Sequence, residues 1–121
     1  MRKFLVVLVV ICNLQASGYN SLLFNGNCVT CHFEKESISA PSVIELQVRY
    51  KDAFPNRDEF IKYMSTWVQY PNAETSIMHD AIKKYELMPE LGYDLDTLRS
   101  IAEYIYDTDF KTLQTDPKVR Q

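Results

Sequence analysis

The chain has 121 residues, of which 46% are hydrophobic and 24% are charged, and its formal net charge is −3. This length is that of one small domain. The acidic balance argues against a nucleic-acid-binding protein, because a surface that contacts phosphates is basic.

The N-terminus has the features of a secretory signal peptide. Two basic residues precede an apolar run at 4–12, and small residues follow it. Because the run is about half as long as a transmembrane helix, we predict a leader at 1–16, cleaved near 16–18, and no stable membrane insertion afterwards. The expected compartment is the periplasm or its equivalent. Lipidation of Cys12 is the weaker alternative, because bulky Ile11 precedes it.

After the leader, every segment with a strong apolar pattern is typical of a helix. We expect Pro41 to begin one helix as its first residue and Asp94 to be the N-cap of the last one. The fold class is therefore all-α, with one domain at 17–107 and a loosely held polar tail at 108–121. The expected helices cover 17–25, 41–50, 57–70, 77–85 and 95–105.

The motif at the end of the first expected helix carries the chemistry. Cys28, Cys31 and His32 form Cys-x-x-Cys-His, the attachment sequence of a c-type haem. In such a site the two thiols add across the haem vinyl groups, and the imidazole becomes an iron ligand. The motif predicts one covalently bound haem c. Because the haem uses both mature cysteines, no disulfide framework is implied.

Other interpretations of the same motif are weaker. A thioredoxin-type pair would follow a strand and gain nothing from the adjacent histidine. A structural zinc site needs four ligands, and only Cys12 and His79 remain as further thiol or imidazole groups. A disulfide across two intervening residues would be strained.

A second axial ligand decides the chemistry of such a haem, because methionine favours electron transfer and an open site binds gases or substrates. We favour Met88, which ends a helix and is followed by Pro89, so its side chain is free to reach inward. Met78 and His79 remain alternatives at the start of a short helix. Met64 lies on an apolar helix stripe, where a methionine usually fills the core.

These residues together resemble the small monohaem cytochromes c with His and Met as iron ligands (class I), over nearly the whole mature chain. Phe24 and Tyr104 match the aromatics at which the family's terminal helices meet. Met88 matches the axial methionine, and Pro41 matches the proline whose carbonyl accepts a hydrogen bond from the His32 imidazole. The resemblance implies a cytochrome c-like fold, with short helices around one haem.

Several aromatic side chains are candidates for contact with the haem. Trp67 either lines the pocket and donates to a propionate through its indole nitrogen, or is core with that nitrogen at the surface. Four tyrosines are equal candidates for a hydrogen bond to a propionate, and the sequence does not distinguish among them. They are Tyr50, Tyr63, Tyr70 and Tyr85.

The expected function is single-electron transfer between a redox donor and an acceptor, each bound transiently by a monomer. We do not expect an enzyme, because His79 is the only other histidine available as a distal acid or base. The alternatives are a haem-based sensor that binds gas or another ligand, and the haem subunit of a larger oxidoreductase.

Overall fold

The computed structural model describes residues 18–113, and every regular element within that range is helical. This confirms the all-α prediction for that part of the chain. The predicted leader at 1–16 and residues 114–121 of the tail lie outside the described residues. The helices are α1 (18–27), α2 (Val43–Ala53), α3 (Arg57–Gln69), α4 (His79–Tyr85), α5 (Leu95–Asp107) and α6 (Phe110–Leu113), with a 3₁₀ turn at Ala73–Thr75.

Side-chain caps fix where three of the helices begin. The side chain of Asn56 accepts backbone N–H groups at the start of α3, and that of Asp94 accepts one at the start of α5, as predicted. Helix α2 begins at Val43 rather than at Pro41. The reason is that the Ser42 hydroxyl accepts the N–H of Glu45 and makes Ser42 the N-cap, so Pro41 lies outside the helix.

The core lies between α3 and α5, which pack closely against each other, with α1 and α2 alongside. Phe60 of α3 is fully buried and contacts the rings of Tyr50 in α2 and Tyr106 in α5. At the end of the bundle, Arg57 forms a paired hydrogen bond and ion pair with Asp107. These contacts join three helices into one packed unit.

The end of the packed domain differs from the expectation. The sequence predicts a polar tail from Thr108 onward, but Phe110 begins α6 and is only 1% exposed. Its ring lies 5.6 Å from that of Phe24 in α1. A single aromatic among polar residues carries no periodic signal, so only its tertiary contact reveals that it belongs to the core.

The chain between α3 and α5 crosses the other side of the bundle and contains α4. Arg49 of α2 holds the first turn of α4 through two hydrogen bonds to Asp80, of 2.8 and 2.7 Å. The hydroxyl of Tyr85, at the end of α4, donates to the carbonyl of Ser37 at 3.4 Å. No helix among residues 18–113 has the length and hydrophobicity needed to cross a membrane.

Candidate functional site

An apolar cavity of about 280 Å³ lies between the bundle and the segment that contains α4. Its walls come from α1 to α5 and the loops between them. Side chains that line it include Val43, Leu46, Val68, Ile82 and Leu98. The volume lies near the lower end of the usual range for small-molecule pockets, which is about 300–1,000 Å³, and such pockets are mostly apolar with a few polar groups.

One wall of this cavity carries the cysteine motif. The turn that follows α1 is closed by backbone hydrogen bonds from the Cys28 N–H to the Phe24 carbonyl and from the His32 N–H to the Cys28 carbonyl, both 2.9 Å. As a result Cys28, Cys31 and His32 all line the cavity. Both cysteines are free thiols, with Cys28 partly buried and Cys31 exposed.

The Cys28 thiol and the His32 imidazole are both held in their neutral form. Burial, with a smaller effect of Cys31, raises the pKa of the Cys28 thiol to about 11. Burial also lowers the pKa of His32, although its hydrogen bond to Pro41 acts in the opposite direction. At neutral pH this wall therefore presents uncharged sulfur and imidazole to an apolar space.

The His32 ring is fixed by the carbonyl oxygen of Pro41, which lies 2.7 Å from Nδ1. A carbonyl oxygen only accepts, so Nδ1 carries the proton and Nε2 keeps its lone pair. Metal-bound histidines are held in this way, with one ring nitrogen bonded to a carbonyl and the other free for the metal. The hydrogen bond expected between His32 and Pro41 is therefore present.

Three thioether side chains line the same cavity. Met64 and Met78 are each 5% exposed, and Met88 is partly buried. The backbone of Met78 is held by a 3.0 Å hydrogen bond from its N–H to the Ser76 hydroxyl. His79, by contrast, is exposed and is not among the residues that line the cavity. The choice between Met88 and Met78 as a ligand stays a prediction.

Trp67 and Tyr50 both line the cavity but differ in how their polar atoms are used. The indole nitrogen of Trp67 donates to the carbonyl of Asn72 at 3.0 Å, so its proton already has a protein acceptor. Tyr50 is 5% exposed, and its hydroxyl has no hydrogen-bond partner among residues 18–113. Burial raises the pKa of Tyr50 and keeps the hydroxyl protonated as a donor.

The other tyrosines grouped with Tyr50 in the sequence have different surroundings. The hydroxyl of Tyr63 donates to the carbonyl of Thr75. Tyr70 is 66% exposed, and Tyr85 lines the cavity while its hydroxyl reaches Ser37. Of the four, Tyr50 alone combines deep burial with an unused donor. A buried donor without a partner is costly, so it marks a place where a bound group would supply an acceptor.

The residues that line the cavity include each type of group that the expected haem c requires. They offer two thiols, a neutral imidazole with a free nitrogen, thioether sulfurs, an apolar lining and a buried donor suited to a carboxylate. Within the described part of the chain, no three His, Cys, Asp or Glu side chains come together as a direct metal-binding group.

Sequence reasoning missed Asn27 and Tyr93, which also line the cavity and are hydrogen-bonded to each other. No sequence signal connects two residues so far apart.

Comparison with known proteins gives one distant similarity. The chain is similar to an uncharacterized protein of Aquifex aeolicus (strain VF5), with 25% identity over 132 aligned positions, covering 88% of this chain and 87% of that protein. No family model matches the chain, and no solved structure matches it.

Proposed function

We propose that this chain is an exported monohaem c-type cytochrome with a cytochrome c-like fold and His/Met ligation, which carries single electrons between redox partners. The observation that carries the proposal is the 2.7 Å hydrogen bond from His32 Nδ1 to the Pro41 carbonyl. It prepares the imidazole of a Cys-x-x-Cys-His motif as a ligand, at the wall of an apolar cavity that also holds Met88.

Each of these residues has a definite task in the proposed site. Cys28 and Cys31 would hold the macrocycle through thioether bonds, and the Nε2 of His32 and the sulfur of Met88 would bind its iron. A bound haem supplies an iron centre that takes up and releases one electron. The carbonyl of Pro41 accepts the Nδ1–H of His32, which fixes the orientation of the ring and keeps its proton on Nδ1.

Part of the cavity lining is exposed, which supports the approach of a partner. Cys31 is exposed, and Leu87 and Leu91 line the cavity while remaining 42% and 43% exposed. Apolar groups at such an edge allow close contact without a large interface, as in transient redox encounters. The net charge of −3 favours partners that are basic at the contact, and salt weakens that attraction.

The first experiment asks whether the haem is covalent. The full chain is produced with a signal-dependent export and c-type haem attachment system, and haem is measured after denaturing electrophoresis. We expect haem to migrate with the wild-type chain, and to be largely lost from the double variant Cys28→Ala/Cys31→Ala. Full retention by the double variant, or no haem on the wild-type chain, would refute the proposal.

A spectrum of the same protein then separates electron transfer from ligand binding. An electron carrier shows a low-spin spectrum with a thioether-to-iron band and no response of the reduced form to carbon monoxide. A high-spin spectrum or rapid gas binding would favour a sensor. Stable co-purification with a larger redox protein would instead favour a subunit role.

A further inference from the structure

The segment that carries Met88 is held by few hydrogen bonds. We call residues 87–93, between α4 and α5, the strap. The backbone hydrogen bond before it runs from the Glu86 N–H to the Ile82 carbonyl, and the next one after it runs from the Leu98 N–H to the Asp94 carbonyl. Among residues 18–113, none forms a backbone–backbone hydrogen bond with the strap.

One residue at each end of this segment has a positive φ. Glu86 has φ of 71° and ψ of 172°, a conformation that is strained for a residue with a side chain. Gly92 has φ of 77°, which glycine adopts without penalty. Because the strap neither extends α4 nor begins α5, its position over the cavity depends on side-chain contacts.

One side-chain hydrogen bond joins the strap to the cysteine motif. The Tyr93 hydroxyl donates to Oδ1 of Asn27 at 2.6 Å in a partly buried position. Asn27 directly precedes Cys28, and its Nδ2 donates to the Leu23 carbonyl at 2.7 Å. That second bond fixes which amide atom faces Tyr93, so the acceptor is oriented before the strap reaches it.

We propose that Tyr93 is a positioning residue, whose hydrogen bond to Asn27 keeps the Met88 strap closed over the cavity. The inference rests on the proposed function and adds to it the group that holds the methionine side of the site. The bond links the segment that carries Cys28 and His32 to the segment that carries Met88. Its loss allows the strap to move away as a unit, with both helices intact.

The test compares Tyr93→Phe with wild type in the haem-loaded protein. The variant keeps the ring and loses the hydroxyl, so we expect the reduced protein to bind carbon monoxide about fivefold faster, as for loss of one hydrogen bond of ordinary net strength. The thioether-to-iron band is expected to weaken. Tyr106→Phe is the matched control, because its hydroxyl donates to the Pro55 carbonyl at 3.1 Å and Tyr106 does not line the cavity.

A second variant tests whether Asn27 is the partner through which Tyr93 acts. Asn27→Ala is expected to accelerate gas binding in the same direction, and adding Tyr93→Phe to it is expected to cause no further change. Such non-additivity is the signature of two groups that share one interaction. If Tyr93→Phe behaves as wild type and as Tyr106→Phe, or if the two effects simply add, the inference is refuted.

A measurement that does not depend on the haem keeps this inference separate from the proposed function. The rate of thermolysin cleavage at Leu87 and Leu91, both exposed, reports opening of the strap in the protein as purified. We expect about fivefold faster cleavage in Tyr93→Phe than in wild type, from the same hydrogen-bond loss. If the wild-type chain carries no haem, the proposed function fails, and this rate still tests the hydrogen bond. Equal rates refute it.

Discussion

The rings of Phe24 and Tyr104 lie 5.1 Å apart, centre to centre, and join α1 to α5. Phe24 is 1% exposed, and its carbonyl accepts the N–H of Cys28. The contact between the first and last long helices is therefore made by the residue whose backbone closes the cysteine turn. Helix packing and the geometry of the candidate site depend on the same side chain.

Replacement of this side chain is expected to destabilise the whole protein. Phe24→Ala removes a fully buried ring that also contacts Phe110, so we expect a loss of about 3–5 kcal/mol in the free energy of unfolding. Denaturant unfolding of the haem-loaded protein measures it. Leu22→Ala, in the same helix but 73% exposed, is the control and is expected to change little. Similar values for both variants would contradict the packing described here.

Local signals in the sequence predicted much of this fold. The positions of α3 and α5 follow from their apolar stripes, and the N-cap at Asp94 follows from residue type. The contact of Phe24 with Tyr104 and the hydrogen bond of His32 to Pro41 were expected from the resemblance to a family, and both are present. In these cases either a local pattern or a shared motif specified the outcome.

The remaining features depend on contacts between distant residues. Tyr93 and Asn27 are 66 positions apart, and neither is unusual in its own segment. Likewise, the sequence alone does not distinguish Tyr50 from the other candidate tyrosines, whereas the structure shows that Tyr50 is buried and lines the cavity. Helix α4, expected at 77–85, begins two residues later at His79, where no side chain caps it. Tertiary packing decides such features, and a single sequence does not record it.

The identity of the methionine ligand is tested by two matched variants. Met88→Ala is expected to let the reduced protein bind carbon monoxide and to lower the reduction potential, because a thioether ligand raises it. Met78→Ala is the comparison, since Met78 also lines the cavity, and it is expected to keep the thioether-to-iron band while losing about 2–5 kcal/mol of stability as a buried core residue. The reverse pattern would assign the ligand to Met78.

Because the Tyr50 hydroxyl has no partner among the described residues, Tyr50→Phe is expected to lower stability when the cavity is filled and not when it is empty. Under the proposed function, a haem propionate would accept a hydrogen bond from this hydroxyl, so Tyr50→Phe in the haem-loaded protein is expected to cost about 1.5–3 kcal/mol of unfolding free energy. Tyr70→Phe, at a site 66% exposed, is expected to cost nothing measurable. Unchanged or greater stability in Tyr50→Phe would show that nothing accepts the hydroxyl.

The ion pair between Arg49 and Asp80 predicts how the free energy of unfolding changes with pH in the acid range. The hydrogen bonds from Arg49 are the main cause that lowers the pKa of Asp80 from 3.8 to about 2. Because the folded state then binds fewer protons than the unfolded state, stability rises with pH across this interval. The contribution is complete above pH 3.8 and is lost as the pH falls through about 2.

Asp80→Asn therefore is expected to unfold at a lower temperature than wild type at neutral pH, with the difference disappearing in strong acid. The effect is modest and decreases with salt, because Asp80 lies at the surface. Asp96→Asn is the control, since Asp96 is 95% exposed and lies 3.9 Å from its partner Arg99. Melting curves from pH 7 down to about pH 1, below the folded-state pKa of Asp80, decide between a charge effect and a packing effect. A difference between wild type and Asp80→Asn that persisted at the lowest pH would mean that the substitution acts through packing of α4 rather than through the charge.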